Sequence, residues 1–520
     1  MPRRSFALVA LAAVAFTALA AAAGARTIAG TARGDVLDGT PRADVLRGLA
    51  GDDLLDGRGG RDVLAAGRGN DRVQAFDGSA DRIVCAAGLD TVAADRLDAV
   101  TRQCEVVSRR ISRDRLRNPE SQHATEVEPH AVGYGTTIVA AFQVGRMASG
   151  GAGAIGWATS RDRGRIWRSG LLPELTGSSP GRGKWERASD PVVAYDAEHG
   201  VWLVATLVIT PARASGLAVS RSRDGLAWRP PVLVDSATGA LAFDKEWVVC
   251  DNGRASRFAG RCYLAYSDIR RSAIAVRFST DGGVSWSAPV IPPVREGGRG
   301  VGVVPVVRPN GDLVIPHYYR EHIVAVRSTD GGASYAPPVT IGRVSFAQPE
   351  GLRAPPLPTA AVDAAGTVFV VWSDCSFRRA CVGNDLVLAR SRDGATWSQP
   401  RRIVPRAARV RPDSLIPALQ AHPSASGRLA LTWYVLARGR LGVRASSSSD
   451  GGRTWARATR LDAKAMPFSW LAEAGGAMVG DYIATVVTGE GRAVSVFALA
   501  GPRAGRRNEA IFAASLPMAR

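Results

Sequence analysis

The sequence predicts an all-β protein, a short parallel β-roll followed by a β-propeller. Three observations carry this expectation: an aspartate and glycine rhythm of nine residues near the front, six near-identical turn signals between residues 160 and 455, and seven strand starts that align around those turns.

Residues 1–25 read as a signal peptide. Arg3 and Arg4 precede an apolar stretch from Phe6 to Ala23, and Ala23-Gly24-Ala25 suits cleavage before Arg26. Export follows as an expectation, with a secreted, extracellular protein as its product. No later stretch offers about 20 uninterrupted apolar residues, so no membrane span is expected.

The roll is assigned to residues 30–108. Asp35, Asp44, Asp53, Asp62 and Asp71 fall nine residues apart, and after a one-residue slip Asp81 and Asp90 continue the series. Two residues after each comes Leu37, Leu46, Leu55, Leu64, Val73, Ile83 or Val92, while glycines recur at Gly39, Gly48, Gly57 and at Gly51, Gly60, Gly69. Nonapeptides of this form wind into a parallel roll whose apolar residue points inward and whose glycine-rich turn bends around a cation. One coil takes two nonapeptides, so Asp35, Asp53 and Asp71 stack on one side and Asp44, Asp62 and Asp81 on the other. Stacked carboxylates repel unless a hard cation lies between them, and Ca2+ is the expected ion at these six residues. The pattern departs at Pro41-Arg42 and at Ala66, so the outer sites are expected to be partial or empty. A degenerate roll held by its apolar ladder alone is the plainer alternative. Asp95, Asp98 and the Cys85–Cys104 pair read as a cap on the end of the roll.

An arginine-rich stretch follows, and residues 109–124 read as a solvated linker ahead of a propeller at 125–520. The propeller is signalled by Ser160-Arg161-Asp162, Ser222-Arg223-Asp224, Ser279-Thr280-Asp281, Ser328-Thr329-Asp330, Ser391-Arg392-Asp393 and Ser448-Ser449-Asp450, each followed by Gly and then by Trp or Tyr, at Asp-to-Asp steps of 62, 57, 49, 63 and 57. In such a turn the Asp accepts from the turn's own amides, Gly takes the positive φ, and the aromatic enters a packed sheet. The seven aligned starts are Glu128-Pro129-His130, Asp190-Pro191-Val192, Asp244-Lys245-Glu246-Trp247, Val301-Gly302-Val303, Ala354-Pro355-Pro356, Asp413-Ser414-Leu415 and Gly480-Asp481-Tyr482. Seven blades are favoured, the last closed by a strand from the segment just before Glu128. Six remain the alternative if residues 466–520 only pack outside.

The six turns resemble the Asp-box of the bacterial-neuraminidase-repeat proteins in the sialidase superfamily, across residues 125 to 515. The front repeats resemble the haemolysin-type calcium-binding repeats of exported bacterial proteins, most closely at Asp53 and Asp62. The first resemblance implies a propeller more strongly than it implies sialidase chemistry, because the box is a structural hairpin.

Six cysteines in an exported chain read as disulfides, paired by proximity as Cys85–Cys104, Cys250–Cys262 and Cys375–Cys381. Zinc is the poorer reading, since no pair has C-x-x-C spacing. A net charge of +19 invites a nucleic-acid reading, but only Lys184, Lys245 and Lys464 are lysines and the arginines form no patch, so no nucleic-acid partner is expected. Calcium and an extracellular glycan or protein are the expected partners.

First strands line a propeller's channel, so their starts meet at one mouth. Glu128, Asp190, Asp244, Lys245, Asp413 and Asp481 are the expected ligand-binding residues there. The bland alternative has these carboxylates capping strand starts. A sialidase-type glycoside hydrolase is the second functional reading. The resemblance then implies three arginines on a substrate carboxylate, a tyrosine nucleophile with a glutamate, and an aspartate acid/base, for which Tyr482, Glu246, Asp190 and Asp244 are the weak candidates. The family's Arg-Ile-Pro signature is not found, which leaves enzymatic activity open.

Overall fold

The computed structural model describes residues 25–210, 215–238, 242–293, 300–405, 411–502 and 507–519. Apart from Ala25, the expected signal peptide lies outside the described residues. Nearly all regular structure is strand, and no described helix is long and apolar enough to cross a membrane.

The front of the chain is a roll of two parallel sheets. One stacks Thr27–Ala29, Val45–Arg47, Val63–Ala65, Arg82–Val84 and Ala99–Val100; the other stacks Val36–Asp38, Leu54–Asp56, Arg72–Ala75, Thr91–Ala94 and Val106–Arg110. Register advances 18 residues per coil, as in Val45 opposite Val63, and then 19 where Val63 meets Arg82. The inward ladder of Leu46, Leu55, Leu64, Val73, Ile83 and Val92 is fully buried between the sheets. Cys85–Cys104 closes the far end, and Cys250–Cys262 and Cys375–Cys381 complete the expected pairing.

Successive antiparallel sheets follow. The first holds Gln122–Tyr134, Thr137–Arg146, Ala152–Ser160 and Arg168–Leu171; the second Arg187–Asp196, Val201–Ile209, Ser215–Ser222 and Val232–Ala237. Phe243–Cys250, Cys262–Asp268 and Ala273–Ser279 come next, then Val306–Val307, Leu313–Tyr319, His322–Ser328 and Val339–Arg343. Thr359–Val362, Val368–Asp374, Asp385–Ser391 and Arg401–Arg402 precede Asp413–Ala421, Leu429–Ala437, Arg440–Ser448 and Thr459–Arg460. The last group is Ala484–Val487, Arg492–Ala500 and Glu509–Pro517.

That last group takes its fourth strand from the roll. Val106–Arg110 pairs in parallel with Thr91–Ala94 on one edge and antiparallel with Glu509–Pro517 on the other, Arg109 facing Ala513. Both edges of this five-residue strand are therefore covered, and the open side of the roll and the open side of the last sheet are removed together. The stretch expected to be a solvated linker is not one where it begins. Ile111 and Ser112 are buried, the Ile111 amide donates to the Ile511 carbonyl, and the Ser112 hydroxyl donates to Glu126 at 2.7 Å. Arginine content suggested solvent, but Ile111 lies in a core shared with Val106, Phe512, Leu499 and Leu461.

All six turns carry one hydrogen-bond pattern. The serine hydroxyl donates to the aspartate at 2.7 to 3.0 Å in each, and that aspartate accepts from amides two to four residues on. Burial raises the Asp281 carboxyl, but the Ser285 hydroxyl and amide overcome it and hold it at about 2. These aspartates are spent on their own turns.

Candidate functional site

Two regions gather polar side chains. In the roll, each coil positions the next through one carboxylate oxygen. Asp53 Oδ1 accepts from the Asp35 amide at 2.8 Å, Asp62 from Asp44 at 2.7 Å, Asp71 from Asp53 at 2.8 Å, Asp81 from Asp62 at 2.8 Å and Asp90 from Asp71 at 2.9 Å. The other oxygen, Oδ2, of Asp53, Asp62, Asp71, Asp81 and Asp90 is buried without a hydrogen-bond partner. Burial pushes all five carboxyls up, against the lowering effect of those amides, to about 8 at Asp62, about 7 at Asp81 and about 6 at Asp90. An orphaned buried oxygen repeated coil after coil is costly unless a cation meets it.

The glycines make room on that side. A Cβ on Gly57 would lie 2.5 Å from Asp62 Oδ2, and one on Gly48 would lie 2.4 Å from Asp53 Oδ2 and 2.1 Å from the Ala66 carbonyl. Bare backbone thus walls the space in front of Oδ2 at Asp53 and Asp62, and backbone carbonyls with carboxylates are the donor set of a hard cation. Asp35 and Asp44 differ. Their Oδ2 atoms accept from the amide and hydroxyl of Thr31 and of Thr40, at 2.6 to 2.9 Å, so threonine occupies the oxygen that faces the cation space elsewhere. The fit is good from Asp53 onward and poor at the first two aspartates. Asp90, which the sequence reading left out of the six, shows the same unpartnered Oδ2 as Asp53, Asp62, Asp71 and Asp81. Calcium at these positions would neutralise the stacked carboxylates.

In the antiparallel sheets, four first strands carry a β-bulge, between Val127 and His130, Ser189 and Val192, Asp244 and Trp247, and Leu415 and Ala418. Inside each lies a residue with positive φ: Glu128 at 54°, Asp190 at 50°, Lys245 at 49° and Ile416 at 50°. A bulge re-aims a side chain, and here three charged ones meet. Lys245 Nζ lies 3.2 Å from Glu128, 3.4 Å from Asp190 and 2.6 Å from Asp481. Arg353 grips Asp481 with two parallel bonds of 2.8 and 2.5 Å, and Gln143 donates to Glu128 while accepting from Arg146 at 2.6 Å.

The structure thus gathers Glu128, Asp190, Lys245 and Asp481, and it corrects one expectation. Asp413 starts its strand three residues before the bulge and accepts from the Asn384 amide and side chain at 2.8 and 2.9 Å, leaving Ile416 in the bulge. Asp244 lines a mouth cavity of about 620 Å³ with Lys245, Tyr318, Glu350, Arg353 and Asp481. Glu246 is 1% exposed, both its oxygens lack partners, and burial and then the Asp190 charge raise its carboxyl well above the usual range. The Tyr482 hydroxyl donates to the Pro191 carbonyl at 3.2 Å, and burial raises it well above the ordinary phenol value. Sequence reasoning left out Arg146 and Gln143, which sit on a second strand and show no motif.

A family model described as the RTX calcium-binding nonapeptide repeat matches residues 29–64 and 38–73. These repeats bind calcium. A comparison with curated proteins finds no match. Among solved structures, the chain is similar to a protein of unknown function from Dyadobacter fermentans, at 16% identity over 79% of this chain and 99% of that one, TM-score 0.43. It is also similar to the Hadza microbial sialidase Hz136, at 14% identity over 79% and 68%, TM-score 0.40. A third is the Penicillium chrysogenum alpha-L-arabinanase, at 14% identity over 79% and 98%, TM-score 0.43.

Proposed function

We propose that the chain is an exported protein in which a calcium-loaded roll is built into a seven-bladed, Asp-box, sialidase-like propeller, and that the propeller mouth holds an extracellular ligand. The observation that carries the calcium sites is the row of five buried, unpartnered Oδ2 atoms from Asp53 to Asp90. The six serine-to-aspartate turns support the Asp-box. Support for seven blades comes from the channel, whose wall takes His130, Val193, Trp247, Val304, Thr359, Ala418 and Ile483 from seven different first strands or the stretches that lead into them. The three disulfides and the N-terminal leader support export.

At the mouth, Lys245 and Arg353 are already neutralised by Glu128, Asp190 and Asp481, while Glu350 lines the same cavity. That balance suits a neutral glycan or a basic protein segment over an anionic sugar. The sialidase alternative draws less support. Its arginine forks would have to come from Arg353 and Arg146, which are engaged, and the Tyr482 hydroxyl is bonded to a carbonyl with no base bonded to it.

A glycan-binding and glycoside-substrate screen with calcium present tests this reading. Retention of a neutral glycan or basic peptide, lost in Asp244→Ala, is expected, and turnover of a sialoside would overturn it. Calcium titration by calorimetry tests the roll, and an absence of binding would refute that half.

A further inference from the structure

The slip that breaks the nine-residue rhythm places a carboxylate where the regular loops have none. Four residues before Asp44 and Asp62 stand Thr40 and Arg58; four before Asp81 stands Asp77. Stacking then brings Asp62, Asp77 and Asp81 together, one oxygen of each within 4.8 Å of the others. Asp62 and Asp81 are 1% and 2% exposed. The Oδ2 atoms of all three are buried and without partners. Their remaining oxygens are engaged, since Asp62 Oδ1 accepts from the Asp44 amide at 2.7 Å, Asp81 Oδ1 from the Asp62 amide at 2.8 Å and Asp77 Oδ1 from the Ser79 amide at 2.7 Å.

We propose that Asp62, Asp77 and Asp81 form a calcium site of their own, chemically unlike the regular coils, with Asp77 and Asp81 beyond the matched repeats. It rests on the reading of the roll as calcium-binding. Three side-chain carboxylates converge on one space, whereas a regular coil brings the stacked aspartates alone. Calcium takes six to eight oxygens in flexible geometry and binds more tightly as ligand charge rises, so this site fills first. Magnesium fits less well, because it demands near-octahedral geometry and keeps its waters.

The loop that carries Asp77 also touches the propeller. The Phe76 ring packs edge-on against Phe512 at 4.8 Å, and the Phe76 carbonyl accepts from Asn508 at 3.4 Å. An ion at Asp77 therefore fixes the seam between the two halves as well as one coil.

The test is calcium and terbium titration of the full chain, read by calorimetry and sensitised terbium luminescence. Asp77→Asn is expected to remove one equivalent and to weaken the tightest phase by about tenfold or more. Asp53→Asn, on the opposite face of the roll, is expected to remove a weaker equivalent and leave the tight phase. Asp77→Glu, which keeps the charge, is expected to retain the tight phase. Unchanged stoichiometry and affinity in Asp77→Asn would overturn the site while the roll reading stands, as would loss of the tight phase in Asp53→Asn alone. A wild-type chain that binds no calcium would overturn both.

Discussion

Lys464 of the propeller lies 2.7 Å from Asp56 of the roll, an ion pair joining residues 408 positions apart. Asp56 is 4% exposed and Lys464 26%, so the pair is sheltered where the roll meets the following sheets. Lys464→Met is expected to destabilise the chain by about 1–2 kcal/mol, because it leaves the Asp56 carboxylate sheltered without its partner. A double-mutant cycle with Asp56→Asn measures the coupling, and additive single effects would show that the pair contributes nothing.

Calcium should raise the melting temperature of the whole molecule, not of the roll alone, because one strand belongs to both halves. Asp53→Ala combined with Asp62→Ala should abolish most of that rise. Scanning calorimetry with and without chelator checks this, and near-UV circular dichroism reports whether the propeller tryptophans melt in the same transition.

The two buried neighbours Lys245 and Glu246 should answer oppositely to loss of charge. Lys245→Met leaves Glu128, Asp190 and Asp481 without the cation at their centre and should cost about 3–5 kcal/mol. Glu246 has no partner for either oxygen, and burial and then the Asp190 charge favour its neutral form. Glu246→Gln, an isosteric stand-in for the neutral acid, should therefore leave stability within about 1 kcal/mol of wild type. Urea unfolding of the two variants separates them.

His130 should make the propeller acid-sensitive. Its Nδ1 accepts from the Val193 amide at 3.0 Å, its ring packs edge-on to Trp247, and burial pushes its pKa from 6.5 to about 3. The unfolded chain binds that proton more readily, so the contribution is whole above about pH 6.5 and is lost as pH falls toward about 3, by about 1.4 kcal/mol per unit. His130→Asn keeps an acceptor without a proton site and should flatten the stability curve in that window. Parallel curves for wild type and variant would contradict this.

How much of this was legible beforehand depends on what repeats. The roll, the six turns and the disulfide pairing all follow from spacing, because each is a local pattern written several times. Bulge register is not written that way. Choosing acidic strand starts pointed to Asp413, yet the residue in the bulge is Ile416. The usable signal was the proline that follows the positive-φ residue in Glu128-Pro129, Asp190-Pro191 and Ile416-Pro417. Asp77 escaped for the opposite reason, since it lies where the period fails, and Arg353 reaches Asp481 across 128 residues without any motif to announce it.

The strand Val106–Arg110 also sets an order of events during synthesis. It is made about four hundred residues before Glu509–Pro517, the segment that must lie against it. Until that late segment arrives, the early strand has one bare edge, and the wheel of sheets stays unlatched. A chain cut short before residue 509 would leave both halves open at one shared seam, so proofreading of the final stretch is built into the stability of the first.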